Sequence, residues 1–144
     1  LHWIQFSGFH PGTTAGYDWV KLSLNKFLQT EEIESNKIIL GIPFYTRVWT
    51  TDPSGKSTSK TVSMKKTESV IPDGTQKQWN DDLKQNYVEY TDGNNKKQIW
   101  IEDIDSIKSK ISLITENNLG GVASWQKDME LDEIWSVLIE EINK

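Results

Sequence analysis

Tyr45 and Arg47 stand two positions apart directly after an apolar run, and in an extended chain that spacing puts both side chains on one side. A phenol and a guanidinium so placed can hydrogen-bond hydroxyls or an amide, although Arg47 would serve equally well in a structural salt bridge. Trp49 continues the same alternation, and Trp125 closes a second apolar run over Leu119–Trp125. Aromatic rings stack against the apolar faces of sugars, and they also fill cores; seven tryptophans and four tyrosines among 144 residues fit both readings. Trp79 and Trp100 lie in alternating segments that already explain them as core.

The carboxylates are weaker candidates. Glu102-Asp103-Ile104-Asp105 is the densest acidic run, and it is read most simply as a helix start, where carboxylates accept free N–H groups and favour the dipole. Asp128 and Glu130 precede the last helix and are expected to cap it. His2 and His10 lack metal-ligand spacing, and neither a phosphate-cradling glycine loop nor a Gly-x-Ser-x-Gly elbow occurs. No metal and no cofactor are expected.

These residues need a scaffold of one domain's size. The net charge of −5 repels phosphate backbones and anionic surfaces, so nucleic acid is an unfavourable partner. No apolar run approaches the roughly 20 residues of a membrane span. The absence of cysteine leaves no disulfide and no thiolate metal site, which suits a reduced cytosol and a bacterial envelope alike. The opening Leu1-His2-Trp3-Ile4 carries neither an initiator Met nor a signal pattern, so the chain is expected to begin inside a longer product.

Apolar positions from Asp18 to about Glu34 recur near every 3.6 residues and predict a helix, after which Lys37–Tyr45 predicts a parallel strand buried on both faces. Thr50–Lys60 is polar turn sequence. Met64–Ile71 suggests a short helix, and Gln76–Asn80, Asn86–Thr91 and Lys97–Ile101 alternate as antiparallel strands, the last two joined by a hairpin at Asp92-Gly93-Asn94-Asn95. Asp103 or Asp105 should cap a helix to about Asn117. Leu119–Trp125 predicts a second buried strand, and Glu130–Ile142 a final helix turning Ile134, Trp135, Leu138 and Ile142 inward.

Three ordered segments carry a resemblance. Lys37-Ile38-Ile39-Leu40-Gly41-Ile42-Pro43-Phe44-Tyr45-Thr46-Arg47 is similar to the seventh barrel strand of family 18 glycoside hydrolases, with Thr46 where a glycine usually stands. Ile99–Lys110 resembles the end of that family's insertion and the helix after it, and Gly120-Gly121-Val122-Ala123-Ser124-Trp125 resembles its eighth strand. Leu1-His2-Trp3 resembles the stretch after the sixth strand's Tyr-Asp pair in spore-cortex and cell-wall lytic members.

The resemblance implies an α/β fold, the C-terminal part of a (β/α)8 TIM barrel holding about strands 7 and 8. Residues 1–49 and 98–144 would form the barrel segment and residues 50–97 an α+β insertion lobe. It implies a glycosidase of the chitinase and peptidoglycan-hydrolase type, acting on β-1,4-linked N-acetylglucosamine polymers with the substrate's own acetamido oxygen as nucleophile. The catalytic Glu would lie upstream, since the family's Asp-x-x-Asp-x-Asp-x-Glu run has no counterpart here. Trp125 would then form the floor of the sugar site, with Tyr45, Arg47, Trp49, Trp3 and His2 around the groove. The polysaccharide would be the partner, and the parent protein would be extracellular, cell-wall or spore-associated. Two other functions stand beside this one: a non-catalytic, glycan-binding relative, and a protein-interaction module using a patch at Trp79, Tyr87 and Tyr90. An open barrel edge would also favour self-association.

Overall fold

A computed structural model of the chain describes residues 10–30 and 33–143. His2 and Trp3 lie outside the described residues. Helix α1 spans Tyr17–Thr30 and buries Val20 and Leu24 against Leu113. Leu22 and Phe27, part of the same apolar pattern, remain on the outer side.

Strands β1 (Ile39–Pro43) and β7 (Gly121–Trp125) form where the two apolar runs predict them and pair in parallel with Ile39 opposite Gly121 and Pro43 opposite Trp125, but they are not buried on both faces: Ile39 and Trp125, on the side away from the helices, are 55% and 59% exposed. One face of the pair is covered by helices α3 (Ile104–Glu116) and α4 (Ile134–Ile142). Ile42, Phe44, Ile107, Ile111, Ile114, Ile134 and Leu138 form that core. The last helix starts four residues later than expected, because Asp128 takes a positive φ of 74° and the chain turns before helix can form. Asp128 and Glu130 therefore do not cap it; Glu133 holds the N-cap position without a side-chain bond. Ile134 and Leu138, four apart on one stripe, point inward, whereas Trp135 and Ile142 are 46% and 41% exposed and so depart from expectation.

Between the two parallel strands lies a five-stranded antiparallel sheet in the order β3-β2-β6-β5-β4. Its strands are β2 (Tyr45–Thr51), β3 (Ser57–Ser63), β4 (Gln78–Asn80), β5 (Gln85–Asp92) and β6 (Asn95–Ile101). Thr50–Lys60 is consequently a hairpin more than a turn. Its tip is closed by the Asp52 carboxylate, which accepts the backbone N–H groups of Ser54 and Lys56 at 2.9 and 3.0 Å. Those bonds, with the Ser54 hydroxyl, hold the Asp52 pKa below its ordinary value. The β5–β6 hairpin turns at Gly93-Asn94 as expected, with Gly93 at φ 61°. Boundaries at 49/50 and 97/98 fall inside β2 and β6, since each strand's alternation runs unbroken across them. A short helix α2 (Met64–Thr67) follows β3 and carries Met64 into the core beside Ile42 and Phe44.

Candidate functional site

The chain passes from β1 into the lobe at Phe44, whose N–H donates to the Trp125 carbonyl at 2.7 Å and whose carbonyl accepts the Met64 N–H at 3.0 Å. These bonds set the end of β7 beside the start of β2. Trp125 sits at the C-terminal end of its strand with its side chain 59% exposed, and its peptide bond to Gln126 is cis. An indole so uncovered at a strand end offers a flat apolar face to a ligand.

Tyr45, Arg47 and Trp49 alternate on one side of β2, as the spacing predicts. Tyr45 and Arg47 are half-buried, and Arg47 Nη1 donates to Ser59 Oγ at 2.9 Å. Burial raises the Tyr45 pKa, opposed by the Arg47 charge and reinforced by Glu102. At neutral pH the phenol therefore stays a hydrogen-bond donor. Trp49 is different: it is 4% exposed and its indole N–H donates to the Gly12 carbonyl at 2.8 Å. A ring covered on both faces cannot stack on a sugar.

Strand register and alternation place Trp49, Gln98, Trp100, Tyr87 and Glu89 on this same face of the sheet. Trp100 and Tyr87 touch with ring centroids 4.9 Å apart. The Tyr87 hydroxyl donates to Glu89 Oε2 at 2.6 Å and accepts from Gln98 Nε2 at 2.7 Å. Burial, then the bond to Glu89, pushes the Tyr87 phenol from 10.0 up to about 12. A raised folded value means that the proton binds more tightly in the fold. The associated stability is present below pH 10.0 and disappears as pH climbs through about 12. In an alkaline absorbance titration, Tyr87→Phe should remove one phenol ionising near pH 12 and leave the earlier ones; an unchanged curve would refute this assignment. Trp79, read from sequence as lobe core, is instead 45% exposed, because β4 is an edge strand with three residues only.

Three of the carboxylates singled out from sequence are held by neighbouring groups. Asp103 is the N-cap of α3, accepting the Ser106 N–H at 2.9 Å in a reciprocal capping box. Glu130 is buried and accepts the Trp135 indole N–H at 3.2 Å. Glu102 is fully buried and ion-paired: Oε2 accepts from Lys110 Nζ and from Ser106 Oγ, each at 2.8 Å, while Oε1 accepts from Gln85 Nε2 at 2.7 Å. Gln85 in turn accepts the Thr13 hydroxyl, and the Glu102 N–H donates to Thr46 Oγ1 at 2.9 Å. Burial raises the Glu102 pKa against the pull of Lys110. This network ties the segment before α1, the lobe and α3 to one another. The sequence signal for it was slight: a lysine on an otherwise apolar helix stripe, eight residues after the acid. Among the described residues no group of acidic or histidine side chains could hold a metal.

The fold has counterparts among known proteins. The model for glycosyl hydrolases family 18 matches residues 9–130. The cortical fragment-lytic enzyme of Bacillus subtilis (strain 168) is 29% identical over 115 residues, 78% of this chain and 27% of that protein. The spore cortex-lytic enzyme of Bacillus megaterium QM B1551 superposes with a TM-score of 0.79 at 27% identity, over 96% of this chain and 32% of the other. A chitinase from Chromobacterium violaceum ATCC 12472 superposes with a TM-score of 0.84 at 23% identity, over 98% of this chain and 44% of the other, a likeness of fold. The chain thus spans between about a quarter and under half of the proteins it matches. With a family model covering both parallel strands and the whole lobe between them, the chain belongs to the family 18 glycosyl hydrolases.

Proposed function

We propose that this chain is the portion of a family 18 glycosidase holding the last two parallel barrel strands, β1 and β7, with the antiparallel lobe inserted between them. Its role is to bind a β-1,4-linked N-acetylglucosamine polymer, chitin or peptidoglycan, beside a catalytic acid carried elsewhere in the barrel. The supporting observation is Trp125: an uncovered indole at the C-terminal end of a parallel strand, where βα-loops build the active site of such barrels. Tyr45 and Arg47 enter from the adjoining strand as donors to hydroxyls or the acetamide. Trp49 takes no part, since it is buried.

In the hydrolysis that goes with this reading, the acetamido oxygen of the bound sugar attacks its own anomeric carbon. The glycosidic bond breaks, and the leaving oxygen takes a proton from a carboxylic acid of raised pKa. Glu102 and Asp103 are committed to the bonds described above, so the acid is neither of them. What this chain supplies is position: an aromatic floor under the ring, and polar groups that fix the acetamide for its internal attack.

The test is calorimetric titration of the chain with an N-acetylglucosamine tetrasaccharide. Trp125→Ala should weaken binding about tenfold, the weight of one aromatic contact of about 1.4 kcal/mol. Trp79→Ala, on the far edge of the lobe, should leave it unchanged. Equal affinity for wild type and Trp125→Ala would sink the reading.

A further inference from the structure

β2 and β6 do not run together to their ends. Their ladder stops at Val48 opposite Ile99, although β2 begins at Tyr45 and β6 reaches Ile101. From there each strand follows its other neighbour: β2 stays with β3 as far as Tyr45 opposite Ser63, and β6 with β5 as far as Ile101 opposite Asn86. The sheet therefore opens between β2 and β6 at the end that carries Tyr45 and Arg47. A backbone N–H that leaves a ladder inside a buried region needs another acceptor. That of Glu102, one residue past β6, donates to Thr46 Oγ1 at 2.9 Å, where Glu102 is 1% and Thr46 0% exposed. One side chain spans the gap that the ladder leaves.

Thr46 points to the face opposite that of Tyr45 and Arg47, its neighbours on either side. Its bond ties the backbone between them to a stiff anchor, since Glu102 is itself gripped by Lys110, Ser106 and Gln85, and the next residue, Asp103, caps α3. Phe44 is fixed separately by the Trp125 carbonyl and the Met64 N–H. Tyr45 lies between these two fixed points. Without the hydroxyl, the start of β2 would keep β3 as its only strand neighbour. We propose that Thr46 is a positioning residue of the sugar site, which rests on the reading given under Proposed function: through the Glu102 amide it sets where Tyr45 and Arg47 stand relative to a ligand seated on Trp125. The same tie keeps the Glu102 charge within reach of the Tyr45 phenol, whose pKa is raised by burial first, lowered by Arg47 and raised again by Glu102.

The experiment compares the wild-type chain with Thr46→Val, which keeps the branched shape and loses the hydroxyl, and with Thr46→Ser, which keeps the hydroxyl. Amide hydrogen exchange reads the tie without any ligand. The Glu102 N–H should exchange at least about tenfold faster in Thr46→Val and close to the wild-type rate in Thr46→Ser. In calorimetric titration with the N-acetylglucosamine tetrasaccharide, Thr46→Val should bind about tenfold more weakly, and Thr46→Ser within about twofold of wild type. In a chain already carrying Tyr45→Phe and Arg47→Ala, Thr46→Val should weaken binding no further, because the groups it places are gone. Faster exchange with unchanged affinity would leave Thr46 a structural role alone and overturn the proposal. So would an unchanged exchange rate, a Thr46→Ser that behaves as Thr46→Val does, or an undiminished loss of affinity in the triple-substituted chain. Trp125→Ala binding as tightly as wild type sinks the proposed function, whereas wild-type affinity of Thr46→Val beside a weakened Trp125→Ala overturns this inference alone.

Discussion

Lys110→Met should lower the unfolding free energy by about 3–5 kcal/mol at neutral pH. The Lys110 and Glu102 side chains are 1% and 0% exposed and lie 2.8 Å apart. Removing the ammonium leaves a carboxylate in the interior with only Gln85 and Ser106 as donors. Such a group takes up a proton on folding. Burial already raises the Glu102 pKa, and loss of Lys110, which opposes that shift, raises it further. A raised folded value stabilises below the unfolded value and loses that contribution as pH rises. The deficit of Lys110→Met relative to wild type should therefore grow as pH rises above the ordinary Glu value of 4.5, measured by urea denaturation. Adding Glu102→Gln to the same chain removes the stranded charge while keeping an acceptor for Ser106, and should recover most of the loss. A deficit independent of pH would mean that the pair contributes through packing alone.

That network also marks where reading the sequence stops. Short apolar runs bounded by glycine and proline identify both parallel strands, since such a run of strand length is a local signature that needs no knowledge of neighbours. The two-residue turn at Gly93-Asn94 is equally local, as is the Asp103 cap. What escaped were features fixed by distant partners. Glu102 looks like one more acid at a helix start until Lys110, Gln85 and Thr46 are brought around it from three elements. Trp49 and Trp125 are both tryptophans at the ends of strand-like runs, yet one is sealed by the Gly12 carbonyl and the other stands open. Periodicity cannot tell them apart, because the covering segment lies 37 residues away. The full extent of β2 and β6 escaped for the same reason: they belong to the sheet through pairing with each other, which alternation within either strand does not reveal.

The second large effect concerns backbone rather than side chain. Gly120→Ala is expected to cost about 3 kcal/mol, read as a drop in melting temperature and urea midpoint. A Cβ at this position would lie 2.1 Å from the Asn36 carbonyl oxygen and 3.0 Å from its carbon. Neither segment can yield easily. The Gly120 N–H donates to the Ile38 carbonyl at 2.9 Å, and the next residue pairs with Ile39 at the first rung of the parallel ladder. Relief of the clash must therefore lengthen that bond or push β7 along its axis, which would carry Trp125 at the strand's other end away from Phe44 and Tyr45. Tetrasaccharide affinity should fall along with stability. Gly74→Ala is the control: φ is +81° but nothing lies within 4 Å of the added carbon, so only the cost of the left-handed backbone applies, about 1 kcal/mol, with binding unaffected. If the two alanines prove equally costly, close approach is not what Gly120 provides, and a positive-φ penalty would not account for its cost either, since Gly74 and Gly121 have that conformation and Gly120 does not. If instead Gly120→Ala alone lowers both stability and affinity, the contact between Gly120 and Asn36 is what sets the depth of β7, and with it the position of the exposed indole.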